Sequence, residues 1–518
     1  MIEQQKIGCG GFYLPKIYYK DQKYVTFSLA KGEIDYAELS KWNFPDKFLC
    51  FVMERNLLSF IDSTYPNPRT KNEVPIWFLI SCQFVMRLYQ IGEYHKLQYL
   101  LNAGSILTKF GFNVGAGNIG FNDKNKKNRT TAVHPDTVRK FFKDTKSEEI
   151  RAWYRQELQH WFRSQRVFDH QGIFILDQSR LVVPDNKHYT NAVKMPVDEH
   201  GQWYKELGDL TEEQKQSLVY HPCYTISTLL TVKAKIQGFH IAGYELGPGN
   251  EDELIQAKRL IPNFCRSLYG VMKLLIVDRG YIDGELINKI KRDYAVDILI
   301  PLKKTMATYH DAVALANMKN SWQIIKAEYS EQHLLLKQEI TPIIILDPWK
   351  GIDYKLYATV SKHINWEPKT ARYIETYGVL VSTKKFLSAE MMENLYNLRV
   401  QIEERFRQFK LGWHIADFSS PHDSLIESHV CFTLLTYSLL QLYLQRKDLQ
   451  EKTNRMISTL RVDESLGKDS VLVYAKDNYG VFDLDDYTLK VAELDGQPKE
   501  KIKATMVKQK RDRLWRGE

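Results

Sequence analysis

Two short runs constrain this chain more than anything else in it: GIFILD at 172–177 and LLIVD at 274–278. Each is a set of consecutive apolar, largely branched residues that stops on an aspartate, Asp177 in the first and Asp278 in the second. A strand with one wet face alternates apolar and polar positions. A strand apolar at every position needs both faces covered, as in a parallel sheet packed between helices. An α/β architecture follows, and with it a place for the acids. Residues at the carboxyl ends of such strands face the crevice where open α/β sheets bind ligands.

A helix supplies a third acid. The spacing in SAEMMENLYNLRVQIEERFRQFK predicts one helix over 388–410,. At about 100° per residue, Leu395, Leu398, Ile402, Phe406 and Phe409 fall within about 80° of one another and form a core face. Tyr396, Arg399, Glu403 and Lys410 share a second wedge of about 60°, roughly 90° round from the first. One reading is a solvated flank with an i,i+4 Arg/Glu pair that contributes a few tenths of a kcal/mol. The other brings Glu403 to the two strand-end aspartates as an all-oxygen, anionic site. Three carboxylates packed together repel one another unless cations hold them ionised, and hard divalent ions, Mg²⁺ or Mn²⁺, are the natural occupants.

The spacing Tyr396-x2-Arg399-x3-Glu403-x6-Lys410 resembles the Tyr-Arg-Glu-Lys signature of one large group of bacterial insertion-sequence transposases with a DDE (Asp, Asp, Glu) active site. The order Asp177, then Asp278 in the string DRGY, then Glu403 is similar to that family's triad, with Gly280 and Tyr281 following the second aspartate. The resemblance covers roughly residues 170–445. It implies a ribonuclease-H-like catalytic domain, interrupted before the glutamate helix by a β-rich insertion. It also implies Asp177, Asp278 and Glu403 as catalytic residues that bind two Mg²⁺ (or Mn²⁺) ions, and double-stranded DNA as partner: terminal inverted repeats and a target. Action as a homodimer bridging two ends comes from the same resemblance. Arg399 and Lys410 would contact flanking phosphates, the guanidinium at two points and the ammonium as a point charge, with Tyr396 donating to a phosphate oxygen. Their alternative role is to orient Glu403. In better-known members an aromatic in the strand entering the glutamate helix helps hold a flipped base. Tyr377 stands at about that place without the tryptophan of those members, and Trp322 and Trp349 are further candidates for stacking.

The length, 518 residues, suggests about three domains,. The expected division is a mainly helical DNA-end-binding domain at 1–169, the core at 170–303, the β-rich insertion at 304–387, the second part of the core with the glutamate helix at 388–446, and a C-terminal extension at 447–518. Within the core, three strands, a helix, a strand, a helix and a strand form the order a ribonuclease-H-like sheet requires. The Asp177 and Asp278 strands are then neighbours. PIIILD at 342–347 also ends on an acid, but Pro348 and Trp349 follow at once, which favours a structural turn.

The net charge of +9 is compatible with a nucleic-acid partner, and the last twenty residues hold eight Lys or Arg against three acids,. That tail is either a DNA or protomer contact or a solvated end. In the first domain, the loop 111–129 carries Lys124, Lys126, Lys127 and Arg129, and HPDTVRKFFKD at 134–144 opens a helix bearing Arg139 and Lys140,. These basic residues are candidates for DNA-end binding in a helix-turn-helix-like unit. GAGNIG fits G-x-G-x-x-G, but a charged loop follows where a helix would be needed for dinucleotide binding, so a plain loop is the better reading. Six scattered cysteines without metal spacing fit free thiols in a reducing cytoplasm,. The apolar runs at 74–86 and 429–444 fall short of a membrane span and read as buried helices.

Function follows as an expectation: cleavage at transposon ends and strand transfer of the freed 3′-hydroxyl. A DNA-binding descendant without catalysis and a nuclease that never joins strands are the alternatives.

Overall fold

The computed structural model describes residues 18–41, 44–70, 74–97, 133–208, 210–233, 238–329, 335–367, 372–460 and 469–516. The chain divides into two compact units, Met1–Thr145 with Arg455–Glu518, and Lys146–Asn454. The segments 1–169 and 447–518 are thus each shared between the units.

The first unit opens with strand β1 (Tyr19–Lys20), helix α1 (Gln22–Ala30) and strand β2 (Tyr36–Lys41), followed by helices α2 (Phe44–Glu54), α3 (Leu57–Thr64), α4 (Ile76–Leu88) and α5 (Pro135–Asp144). The apolar run at 74–86 lies largely in α4, where every residue except Trp77 is buried. In α5 the expected stripe of Val138, Phe141 and Phe142 is buried, with Pro135 in the first turn,. On its other side Arg139 pairs with Asp136 at 3.4 Å and Lys140 is exposed. The loop 111–129, with GAGNIG and Lys124, Lys126, Lys127 and Arg129, lies outside the described residues.

The second unit begins with helix α6 (Ser147–Trp153), which passes through a π-helical turn (Tyr154–Leu158) into α7 (Gln159–Ser164). Strands β3 (Ile173–Val182), β4 (Val193–Val197), β5 (Val219–Lys233) and β6 (Gly238–Pro248) follow, then helix α8 (Glu253–Ser267), β7 (Leu274–Val277), α9 (Gly284–Tyr294) and β8 (Asp297–Pro301). Spatially the strands run β6-β5-β3-β7-β8, antiparallel at β6/β5 and β5/β3, parallel at β3/β7 and β7/β8. The Asp177 and Asp278 strands, β3 and β7, are neighbours as the sequence suggested, although four strands rather than three precede helix α8. The unbroken apolar runs have the reason given above: Phe174, Leu176, Leu275 and Val277 pack with Leu260, Phe264 and Ile287 of α8 and α9, while the alternate residues Ile173, Ile175 and Ile276 are also buried,.

One expectation is corrected. Strand β3 does not stop at Asp177 but runs to Val182, because β5 still offers Ser227 to Cys223 as partners after β7 has ended at Val277. A polar run, QSR, can remain strand when one neighbour completes its hydrogen bonds.

Helix α10 (Ala307–Lys319) leads into β9 (Gln323–Tyr329), β10 (Leu335–Ile340), β11 (Ile344–Leu346), β12 (Leu356–Glu367) and β13 (Arg372–Ser382). These strands continue the same sheet. β13 pairs with β8 over Leu380–Ser382, then β12, β10 and β9 follow in order, and β11 lies on β12. Ala358, Val360, Val379 and Val381 join the core of β3 and β7. Asp347 is exposed just after β11.

The glutamate segment departs from the single predicted helix. It forms α11 (Ala389–Asn397), capped by Ser388 accepting from the Met391 amide at 3.1 Å, and α12 (Val400–Leu411),. Between them the amides of Leu398, Arg399, Gln401 and Ile402 each bond three residues back rather than four. Such a turn winds at about 120° per residue instead of about 100°, so the second half is rotated against a continuous wheel. As a result Ile402, Phe406 and Phe409 are buried as expected, Leu395 and Leu398 only partly, and Arg405 and Gln408 go inward as well.

Helix α13 (Asp423–Arg446) is long and apolar enough to cross a membrane by composition, yet all of its apolar window is buried inside the protein. It packs on β6, where Ser438 accepts from His240 Nδ1 at 3.1 Å through its carbonyl and from the Ile241 amide at 3.1 Å through its hydroxyl. It is the buried helix the sequence suggested.

The chain then returns to the first unit with β14 (Asp469–Ala475), β15 (Asn478–Asp483), α14 (Leu484–Ala492) and α15 (Gln497–Arg516). The four-stranded sheet β1-β15-β14-β2 is built from both ends of the chain. VLVYA of β14 is apolar throughout because both faces are covered: Val471, Val473 and Ala475 pack with Val25, Leu29 and Ile502, whereas Leu472 and Tyr474 meet Tyr18, Tyr36 and Cys50. The basic tail is largely this final helix.

Candidate active site

The last parallel rung between β3 and β7 pairs Leu176 with Val277. Asp177 and Asp278 are the next residue on each strand. They therefore leave adjacent strands side by side, at a backbone separation of about 5 Å. Asp177 is mostly buried, its side chain 21 % exposed, and accepts from the Gln178 amide at 2.8 Å. Asp278 accepts from the Arg279 amide at 2.7 Å and caps the short 3₁₀ turn Arg279–Tyr281, which turns the chain off the sheet. A Cβ at Gly280 would lie 2.2 Å from Glu253 Oε1, the end of a flexible side chain that would have to move aside.

Helix α12 packs over β3, and Arg399, at its N-terminal end, reaches back to the sheet. Its Nη1 donates to Asp177 Oδ2 at 3.3 Å while its Nη2 donates to Glu403 Oε1. One guanidinium thus bridges an acid of the strand and the acid of the helix. The i,i+4 pair weighed from the sequence exists, but it is not confined to a solvated flank. Among the described residues no three acid, His or Cys side chains stand close enough to hold a metal ion as placed. Arg399 occupies the space between two of them.

The electrostatics agree with this geometry. Burial, first, pushes the Asp177 carboxyl up to about 6, with Asp278 and Glu403 adding to it and the Gln178 amide and Arg399 opposing it. Burial and the negative charges of Asp278 and Asp177 push the Tyr396 phenol up to about 12, against Arg399. Burial works against the Arg399 charge, but Tyr396, Asp278, Glu403 and Asp177 outweigh it and hold the guanidinium above its ordinary value. The ammonium of Lys410, exposed by area but crowded by protein, is lowered by desolvation and then by Arg180. Anionic oxygen donors that already take one cation fit a divalent ion by their chemistry: hard ligands whose mutual repulsion a small cation would relieve more fully than a guanidinium.

A buried, ionised Asp177 costs folding energy, which gives a test. Its folded value of about 6 lies above the ordinary 3.8. Below about pH 4 both folded and unfolded forms are protonated and the group contributes nothing. Between about pH 4 and 6 the unfolded form gives up its proton while the buried folded form keeps it, so stability falls across that window by about 3 kcal/mol relative to an uncharged side chain and stays level above it. In EDTA, Asp177→Asn is expected to be more stable than the wild type by roughly that amount at pH 8, with the gap closing toward pH 4. Urea unfolding at both pH values measures it, and a gap independent of pH would refute the assignment.

Tyr377, on β13, stacks at a tilt with Trp322, their centroids 6.2 Å apart, and donates to Glu375 at 2.8 Å. Lys362 lies 4.7 Å over the Trp322 ring. Trp349 packs separately against the core. Arg139 and Lys140 lie on α5 in the other unit.

Sequence reasoning missed a polar network on the opposite face of β3. Gln178 donates to Gln256 at 3.1 Å, Gln256 donates to Thr225 and Glu251 at 2.9 Å each, and Arg259 grips Glu251 at 2.8 Å with two nitrogens. It fixes the strand from which Asp177 projects. Arg405 was missed too: fully buried, it bonds Asn454 and lies 4.6 Å over the Phe239 ring, anchoring the glutamate helix. Only its pairing with Phe406 in the pattern ERFRQF hinted at an inward arginine.

A large mixed sheet covered by helices thus carries two neighbouring strand acids and a helical glutamate tied to one of them through Arg399. Residues 169–439, more than half of the chain, match the model of the family described as Transposase DDE domain, and the chain belongs to that family. Family membership implies a transposase enzyme that binds DNA, in a family that generally uses divalent metals. No curated protein matches the chain.

Proposed function

We propose that this chain is a cut-and-paste DNA transposase of the group with the Tyr-Arg-Glu-Lys signature, which cleaves at the ends of an insertion sequence and joins the freed 3′-hydroxyl to target DNA. The observation that carries the reading is the bridging of Asp177 and Glu403 by Arg399, beside Asp278. Asp177, Asp278 and Glu403 would hold two divalent ions, which supply activation of the attacking water or 3′-hydroxyl and stabilisation of the departing oxygen in an in-line displacement at phosphorus. Arg399, released from its carboxylates, would grip a phosphate by its two-nitrogen fork, and Lys410 another by point charge. The Tyr396 phenol, kept neutral by its surroundings, can donate to a phosphate oxygen,. Tyr377 with Trp322 offers the stacked aromatic surface suited to a displaced base,. Two copies bridging two terminal inverted repeats would complete the reaction.

The test incubates purified protein with Mg²⁺, labelled DNA carrying the inverted repeats that flank its coding region, and a target plasmid. Cleavage with joining is expected. Cleavage without joining would leave a nuclease, and binding without cleavage a DNA-binding protein; either outcome overturns the proposal.

A further inference from the structure

We infer that α15 is a DNA-docking helix that lies in the major groove of a duplex, an inference that rests on the DNA reading above and adds a contact surface outside the carboxylate site. The helix runs from Gln497 to Arg516 and carries eight Lys or Arg against two acids. It is held to its own unit by one stripe: Ile502 is 1 % exposed in the core of the four-stranded sheet, and Thr505 and Gln509 on the same side are partly buried. All other residues from Glu500 to Arg511 are exposed.

The direction of the charges is what identifies the partner. Measured from Ile502 at about 100° per residue, Lys503 and Lys510 project about 80–100° to one side, and Lys501 and Lys508 about 100–120° to the other. Between these flanks, opposite the buried stripe, lies a crest of Glu500, Ala504, Val507 and Arg511. Glu500 is taken by Lys503 at 2.8 Å, and among the described side chains Lys501, Lys508, Lys510 and Arg511 form no ion pair. A helix about 10–12 Å across fits a major groove about 12 Å wide. Seated there, its two lysine flanks meet the phosphates of opposite strands, the small Ala504 and Val507 of the crest let its middle sit deep, and Arg511 points at base edges. A membrane surface would want an apolar crest flanked by charge, whereas here the crest holds a glutamate and an arginine.

Binding of the full-length chain to a labelled 40-base-pair duplex in EDTA, across a salt series, tests this. Each phosphate contact contributes about 0.9 to the slope of log K against log salt. Replacing Lys501, Lys503, Lys508 and Lys510 together by Gln is expected to make the slope shallower by about 3 to 4, and replacing all four by Arg to preserve it. These exposed positions leave the fold intact, which unchanged thermal unfolding would verify. A wild-type slope in the Gln variant would overturn the role of α15 and leave the transposase reading standing. Failure of the wild-type chain to bind any duplex would overturn both.

Discussion

Asp177→Asn, Asp278→Asn and Glu403→Gln are each expected to reduce strand cleavage by about 10³-fold or more, equivalent to about 4 kcal/mol of transition-state stabilisation, while binding to end DNA in EDTA is expected to stay within about threefold. The reason is geometric and electrostatic. Asp177 and Asp278 leave adjacent strands one residue past the last shared rung, and Glu403 is tied to Asp177 through Arg399. An amide in place of any one keeps the shape but removes a negative oxygen from the set that would hold the ions. If cations such as those of α15 carry the DNA affinity, as proposed above, binding survives the loss of a carboxylate. Quantitative cleavage with each variant at saturating DNA is the measurement, and near-normal rates for one variant would remove that residue from the site.

The second large effect lies away from the site. Glu427→Ala is expected to destabilise the second unit by about 3–5 kcal/mol, because it strands a buried cation. Glu427 on α13 receives Arg151 of α6 through two nitrogens, at 3.1 and 2.5 Å, and the Tyr244 hydroxyl of β6 at 2.7 Å. Burial opposes the Arg151 charge, and Glu427, then Tyr244 and Glu245, more than restore it. Removing both partners with apolar residues of similar size, Arg151→Met with Glu427→Leu, should recover most of the loss, since no uncompensated charge remains. Glu245 keeps Arg155 and Arg259 in that double variant. Urea denaturation of the single and double variants decides it; a double variant as unstable as Glu427→Ala would show that the charges themselves hold these three elements together.

Local sequence revealed the carboxylates because strand-end acids after unbroken apolar runs, and a glutamate on the flank of an apolar stripe, are features of neighbouring residues. It misjudged what depends on distant partners. A wheel drawn at one angle per residue cannot know that four amides at 398–402 shift to three-residue bonds, so it missed the inward turn of Arg405 and Gln408. Likewise QSR after Asp177 reads as the end of a strand until β5 is seen to carry it on to Val182. The stretch 304–387 reads as a β-rich insertion, and only the pairing of β13 with β8 shows that its strands extend the sheet, since an unpaired edge can be completed by a further strand,.

By itself, then, the sequence determined which residues are apolar on both faces, where the acids stand along the chain, and how charge gathers at its end, since all of these are set by residue type and local period. Only the tertiary structure decided that Arg399 spans Asp177 and Glu403 and that both chain ends share one small sheet. It also made the basic tail a helix with one anchored side. The physical reason is that each of these depends on which backbone edge or buried charge a residue meets across hundreds of positions, and no local period records that meeting.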